Sequence, residues 1–224
     1  MRITVLTSSY PRFEGDGTAP FVASISEQLA KLGHQVEVVA PYDPAVDTNH
    51  TTPIPVHRFR YIWPQRLHIM GHAKSLAADV RLRPLVYLLL PFFLMAAFRK
   101  LYQVVRRQKA QIVHVHWVLP NGPVAALVAR LRGIPLVVSL HGSDIYVAQK
   151  NRLFGAVARW VFRNAGAVSA CSQGLKLSAL ELGSPIEPSL ITWGADPQIF
   201  RPLPRDEYTL NKLEVSRSNL CVVA

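Results

Sequence analysis

Three histidines and an aspartate stand where short apolar runs give way to polar residues. His114 and His116 close the run from Ile112, while His141 and Asp144 follow the run Leu136 to Leu140. Both runs have strand length, and Pro123 to Arg132 between them has the length and spacing of one helix. In an open parallel sheet ligands bind beyond the carboxyl ends of strands, so these side chains fall where a substrate would lie. His114 and His116 are two apart and share one face of a strand, a spacing that could hold a metal. No third ligand stands near them and the chain has no Asp-x-Asp pair. Hydrogen bonding to hydroxyls or to the backbone is therefore the expected role, with no metal. His141 precedes Gly142, which permits close ligand approach, and Asp144, which is placed to orient the ring or to bind a hydroxyl.

Two further places could meet an anion. Gly15-Asp16-Gly17 lies in the loop ahead of a helix starting at Thr18, and exposed N–H groups at a helix N-terminus favour phosphate. The longer G-x-G-x-x-G of dinucleotide sites is absent, and an ordinary strand-to-helix turn is the competing reading. Ser172 opens another helix, where simple capping is favoured over contact with a phosphate or an acceptor.

Alternating strand and helix patterns position these residues. The run Ile3 to Leu6 reads as the first strand, and Thr18 to Leu32 as a helix with Phe21, Ile25, Leu29 and Leu32 along one face, stopped at Gly33. Strands follow at Gln35 to Ala40 and at Val56 to Tyr61, the latter with His57, Arg58 and Arg60 implying one exposed face. After the central β-α-β unit come a helix (Leu153 to Phe162), a strand (Ala167 to Ala170), a helix (Ser172 to Leu182) and a last strand (Leu190 to Thr192). The pattern predicts an α/β fold.

Of the 224 residues, half are apolar, enough for one large core. Cys171 and Cys221 are too few for a disulfide framework or a Cys-based zinc site, and the opening run is too short for a secretory signal. The net charge of +11 is unevenly placed: residues 1–57, 58–109 and 110–224 carry 3, 11 and 11 basic residues against 6, 1 and 7 acidic ones. The middle segment, biased toward an anionic partner, surrounds an apolar run from Leu85 to Phe98. Fourteen residues fall short of the roughly twenty that cross a bilayer. Two readings stand open: a core helix kinked at Pro91, or a surface resting on anionic membrane through Arg81, Arg83, Arg99, Lys100, Arg106 and Arg107.

The runs VHVHWVLPNG and VVSLHGSDIY, then SACSQGL from Ser169 and ITWGADPQIFRPL from Ile191, together with TSSYPRFEGDGTAPFV from Thr7, resemble the amino-terminal half of a family-4-type glycosyltransferase of the GT-B fold. The resemblance implies a Rossmann-like, doubly wound, mostly parallel sheet over residues 1–203. Residues 204–224 would be a linker and the truncated start of a second such domain. It implies transfer of a sugar from a nucleoside diphosphate sugar to a glycan or lipid-linked acceptor, with retention and without a metal or other cofactor. The process would be assembly of cell-surface polysaccharide or glycolipid. The family's nucleotide is held mainly by the second domain, so this chain is expected to be inactive by itself and to shape the acceptor and sugar side of a cleft. His141 and Asp144 are the implied catalytic residues. Gly15, Gly17, Thr18, His114, His116, Asn121, Gly142, Ser143 and Ser172 are the implied substrate contacts. The expected location is cytoplasmic, with a possible peripheral seat on the inner membrane face. The alternative is a non-catalytic Rossmann-like module binding nucleic acid, ranked lower because no nucleic-acid motif recurs.

Overall fold

The computed structural model describes residues 1–47, 52–72, 76–78, 81–82 and 84–194. The expected linker, the closing run Leu220 to Ala224, Cys221 and Arg83 lie outside the described residues. Met1–Thr192 forms one compact unit, and Trp193–Ala224 a second, of which only Trp193 and Gly194 are described.

Seven parallel strands form the main sheet: β1 (Arg2–Leu6), β2 (Gln35–Pro41), β3 (Val56–Phe59), β6 (Ile112–His116), β7 (Leu136–Leu140), β8 (Ala167–Ala170) and β9 (Ser189–Leu190). Their spatial order is β3-β2-β1-β6-β7-β8-β9. A separate antiparallel pair joins β4 (Leu76–Ala78) to β5 (Arg81–Leu82). The strand order reverses between β1 and β6, which pair in register with Val5 opposite His114. This is the topological switch point of a doubly wound sheet, where the connections part to opposite sides and leave a crevice.

Both faces of the sheet are covered, which is why its strands read as nearly continuous apolar runs. On one face Ile3, Val5, Val36 and Val38 pack with Val22 of α1 (Pro20–Lys31). The expected stripe on α1 is shifted: Val22 and Ser26 are buried, Phe21, Ile25 and Leu29 half-buried, and Leu32 is 73% exposed. Ser26 is tolerated there because its hydroxyl donates back to the Val22 carbonyl, 2.7 Å.

On the other face α2 (Pro84–Gln108), α3 (Gly122–Arg132) and α5 (Arg152–Arg163) enclose the larger core. α2 runs for 25 residues through Pro91, well beyond the fourteen-residue apolar run. Its stretch Leu85–Gln108 is long and apolar enough to cross a bilayer, which overturns the length argument drawn from that run. One stripe of it is core, however: Phe93, Ala97, Leu101, Val104 and Val105 are buried. The opposite flank leaves Leu85, Leu88, Phe92 and Met95 exposed, at spacings of three, four and three residues.

α3 ends at Gly133, whose φ of 62° suits a residue without a side chain. Asn151 caps α5 by accepting from the Leu153 and Phe154 amides. α4 (Ser143–Lys150), which the polar run after β7 does not announce, begins one residue after Gly142 and carries Asp144 in its first turn. α6 (Gln173–Glu181) completes the layer.

Candidate functional site

The carboxyl ends of β1, β6 and β7 meet at the switch point, and their polar residues converge. His114 and His116 point to one side of β6, with ring centroids 4.5 Å apart. His114 Nε2 shares a 2.8 Å hydrogen bond with Ser139 Oγ, which lies 2.8 Å from Ser169 Oγ, so a polar rung crosses β6, β7 and β8. His116 Nδ1 lies 2.9 Å from His141 Nε2 with the rings stacked at 18°, so one ring donates and the other accepts. Beyond His141 come Phe21 at 4.8 Å and Trp117 at 4.6 Å between centroids. His141 is thus held between aromatic faces, half-buried, at the outer end of a column of imidazoles.

Burial keeps these rings neutral. Removal of water from the cation lowers His114 to about 4 and His141 to about 3, and His114 adds a smaller lowering effect on His141. His116, wholly buried, lies well below the usual imidazole value for the same reason, reinforced by His114 and His141. Neutral imidazoles held by stacking and hydrogen bonds position a hydroxyl better than they shuttle protons.

Asp144 meets His141 through the backbone. Its buried carboxylate accepts the Val118 amide at 2.7 Å and the Gly142 amide at 3.0 Å, with the His141 amide at 3.4 Å. Burial pushes its pKa up while those backbone donors pull it down. The group ties the loop after β6 to the loop after β7, which fixes the backbone on both sides of His141. Gly142 between them has φ 114°, a conformation that other residues rarely adopt.

The remaining expected contacts divide by exposure. His114, His116 and Asn121 are buried and stand behind the surface rather than on it. Asn121 donates to Ser8 Oγ at 2.8 Å, joining the loops after β1 and β6. Ser143 is half-buried at the start of α4. Ser172 is exposed and its hydroxyl accepts the Leu175 amide at 3.3 Å, the capping role. Gly15 and Gly17 are exposed, and Asp16 between them folds the loop on itself. It accepts from the Arg12 side chain, from the Thr18 amide and from the Thr18 hydroxyl. Those bonds hold its pKa far below the carboxylate range, with Arg12 the largest cause.

The basic strand face also differs from expectation. Arg58 turns inward, donating to the Tyr10, Pro11 and Pro41 carbonyls, and burial lowers its pKa to about 10. It braces the loop after β1 instead of facing solvent. Among the described residues no three His, Cys, Asp or Glu side chains are grouped to hold a metal ion.

A cavity of about 430 Å³ opens beside this site between α2, α4 and α5. Trp117 belongs to both, touching His141 and lining the cavity. Its backbone sits at φ 66°, rare for a bulky residue, and its amide donates to the Ser139 carbonyl at 3.0 Å. In the sequence Trp117 is legible as a strand-end residue beside His116, and Phe21 only as an apolar residue on one face of a helix. What gives them a place in the site is the switch-point topology, which sequence spacing does not report.

The sheet order, with a column of histidines at its switch point, defines a Rossmann-like α/β fold. The sequence profile of the glycosyl transferase 4-like domain matches residues 16–191, and the chain belongs to that family. It is 25% identical over 187 residues to N-acetyl-alpha-D-glucosaminyl L-malate synthase of Bacillus anthracis, covering 83% of this chain and 43% of that protein. It is 26% identical over 198 residues to TuaC of Bacillus subtilis (strain 168), a glycosyltransferase named for teichuronic acid biosynthesis, covering 81% and 47%. The chain therefore spans about half the length of the curated relatives it matches. Among solved structures it is similar in fold to HepE of Anabaena in complex with UDP, with a TM-score of 0.64 and 20% identity, over 96% of this chain and 50% of HepE.

Proposed function

We propose that this chain is the acceptor-side half of a GT-B glycosyltransferase. In that role it moves a sugar, with retention, from a nucleoside diphosphate sugar to a glycan or lipid-linked acceptor in surface polysaccharide or glycolipid assembly at the cytoplasmic membrane face. The observation that carries this reading is the neutral His141, held by stacking at the carboxyl end of β7 with its neighbouring loops locked by Asp144. Family membership, the names of the two Bacillus relatives and the UDP bound by HepE support the reaction class and the donor class.

In this role His141 hydrogen-bonds a hydroxyl of the transferred sugar and Gly142 leaves room beside it. The anomeric carbon is thereby held where the leaving phosphate and the acceptor hydroxyl meet, and positioning of this kind supplies much of a transfer rate. A partner wall would hold the nucleotide and exclude water. The exposed flank of α2, followed by Arg99 and Lys100, rests on anionic lipid and brings a lipid-linked acceptor to the crevice.

The test is sugar transfer by the chain joined to a second, nucleotide-holding GT-B domain, assayed with a panel of nucleotide sugars and lipid-linked acceptors. Turnover is expected. No turnover, together with salt-sensitive retention on DNA that nucleotide sugars leave unchanged, would favour a nucleic-acid-binding module instead.

A further inference from the structure

The cavity between α2, α4 and α5 is shaped for one kind of molecule. Leu90, Leu94, Val147, Phe154 and Val157 line its body. Ser8, Ser9, Ser143 and Asp144 reach it from the strand ends at the switch point. Among its lining residues Tyr87 and Leu153 are the exposed ones, and Tyr87 adjoins Leu88 on the exposed apolar flank of α2. The lining thus runs from polar groups at the sheet to exposed apolar side chains at the helices.

Its serine and aspartate side chains lie at the sheet end, and the body of the cavity is lined by apolar ones. Asp144 is occupied by backbone amides and Ser8 Oγ accepts from Asn121. A peptide segment in the body of the cavity would leave its N–H and C=O groups unpaired, a loss of several hydrogen bonds. Water gains little there for the same reason, since a buried water needs two to four polar partners. A saturated or isoprenoid chain has no such groups, and each methylene it buries contributes favourably.

We propose that this cavity binds the aliphatic chain of an amphiphile whose polar head lies at the carboxyl ends of β1 and β7, beside Trp117 and His141. Assigning that amphiphile as the transferase acceptor rests on the function proposed above. The chain-binding site does not, and it is tested separately.

Binding of hexyl, octyl and decyl glucoside to the 224-residue chain is measured by calorimetry below their micelle concentrations. The uncharged head keeps the basic residues from driving the result. Affinity should rise about fourfold per added methylene while the chain still fits. Val147→Trp, which fills the cavity, should weaken octyl glucoside binding at least tenfold. Leu153→Asp, at a residue 68% exposed and therefore safe for folding, should weaken it severalfold if the first variant does not fold. Leu88→Asp, on the flank outside the cavity and 67% exposed, should leave it unchanged within twofold. Affinity that does not depend on chain length overturns the proposal. So does loss of binding in Leu88→Asp with binding intact in both cavity variants.

Discussion

Four imidazoles held largely away from water, His72, His114, His116 and His141, all resist protonation because burial removes the solvent that would stabilise the cation. In the unfolded chain each would titrate near 6.5. Folded values of about 4 for His72 and His114 and about 3 for His141 are depressed, so below pH 6.5 the unfolded state binds more protons than the folded one. Stability is therefore lost as pH falls from about 6.5 toward 4, with a slope of up to about 1.4 kcal/mol per pH unit per ring. Asp144, whose pKa is raised, acts in the opposite direction but is a single group. Urea unfolding at pH 7.5 and pH 5.0 should show the lower stability at pH 5.0, and equal stability would mean that the rings are solvated. A second residue-scale prediction concerns the Asp144 clamp. Asp144→Asn replaces an acceptor oxygen by an NH₂ that faces backbone amides, and should destabilise the fold by about 2–3 kcal/mol in the same measurement.

The elements are largely legible in the sequence because parallel strands buried on both faces spell apolar runs of fixed length. β6, β7 and β8 begin and end where their residues imply, and α3 and α5 start within a residue of the expected positions. What spacing does not report is which side of an element faces inward. α1 buries Val22 and Ser26 where the spacing predicts Phe21 and Leu32, and Arg58 braces a loop where it predicts an exposed face. The histidines are identifiable as strand-end residues, while the stacking of His141 on His116 depends on β6 and β7 being neighbours in space. The flank of α2 carries a prediction of its own. Arg107 pairs with Glu37, which leaves, among the described side chains of the expected basic set, Arg99, Lys100 and Arg106 on the helix that carries Leu88, Phe92 and Met95. Binding to anionic vesicles should weaken with salt, each basic residue contributing about 1 kcal/mol. Phe92→Asp should reduce it further. Equal binding to neutral and anionic vesicles would remove the membrane role.

At the scale of the whole molecule, the chain spans about half of its Bacillus relatives, and in the proposed function its crevice is one wall of a cleft. In the proposed function, one wall by itself would leave water in the site and the diphosphate without a partner for its developing charge. The 224-residue chain by itself should therefore show no turnover with any nucleotide sugar, and robust transfer would contradict the two-wall account. In the proposed function His141 serves the sugar and not the fold. Its ring stacks on His116 and touches Phe21 and Trp117, so a variant must be checked for folding, but it is only half-buried. The most direct measurement is the turnover of His141→Ala relative to the unaltered protein, both joined to a nucleotide-holding domain and both confirmed folded by thermal melting. A fall of about a hundredfold or more with a melting temperature within a few degrees is the predicted result. Turnover retained within a few-fold, or a collapse of the melting temperature, would contradict it.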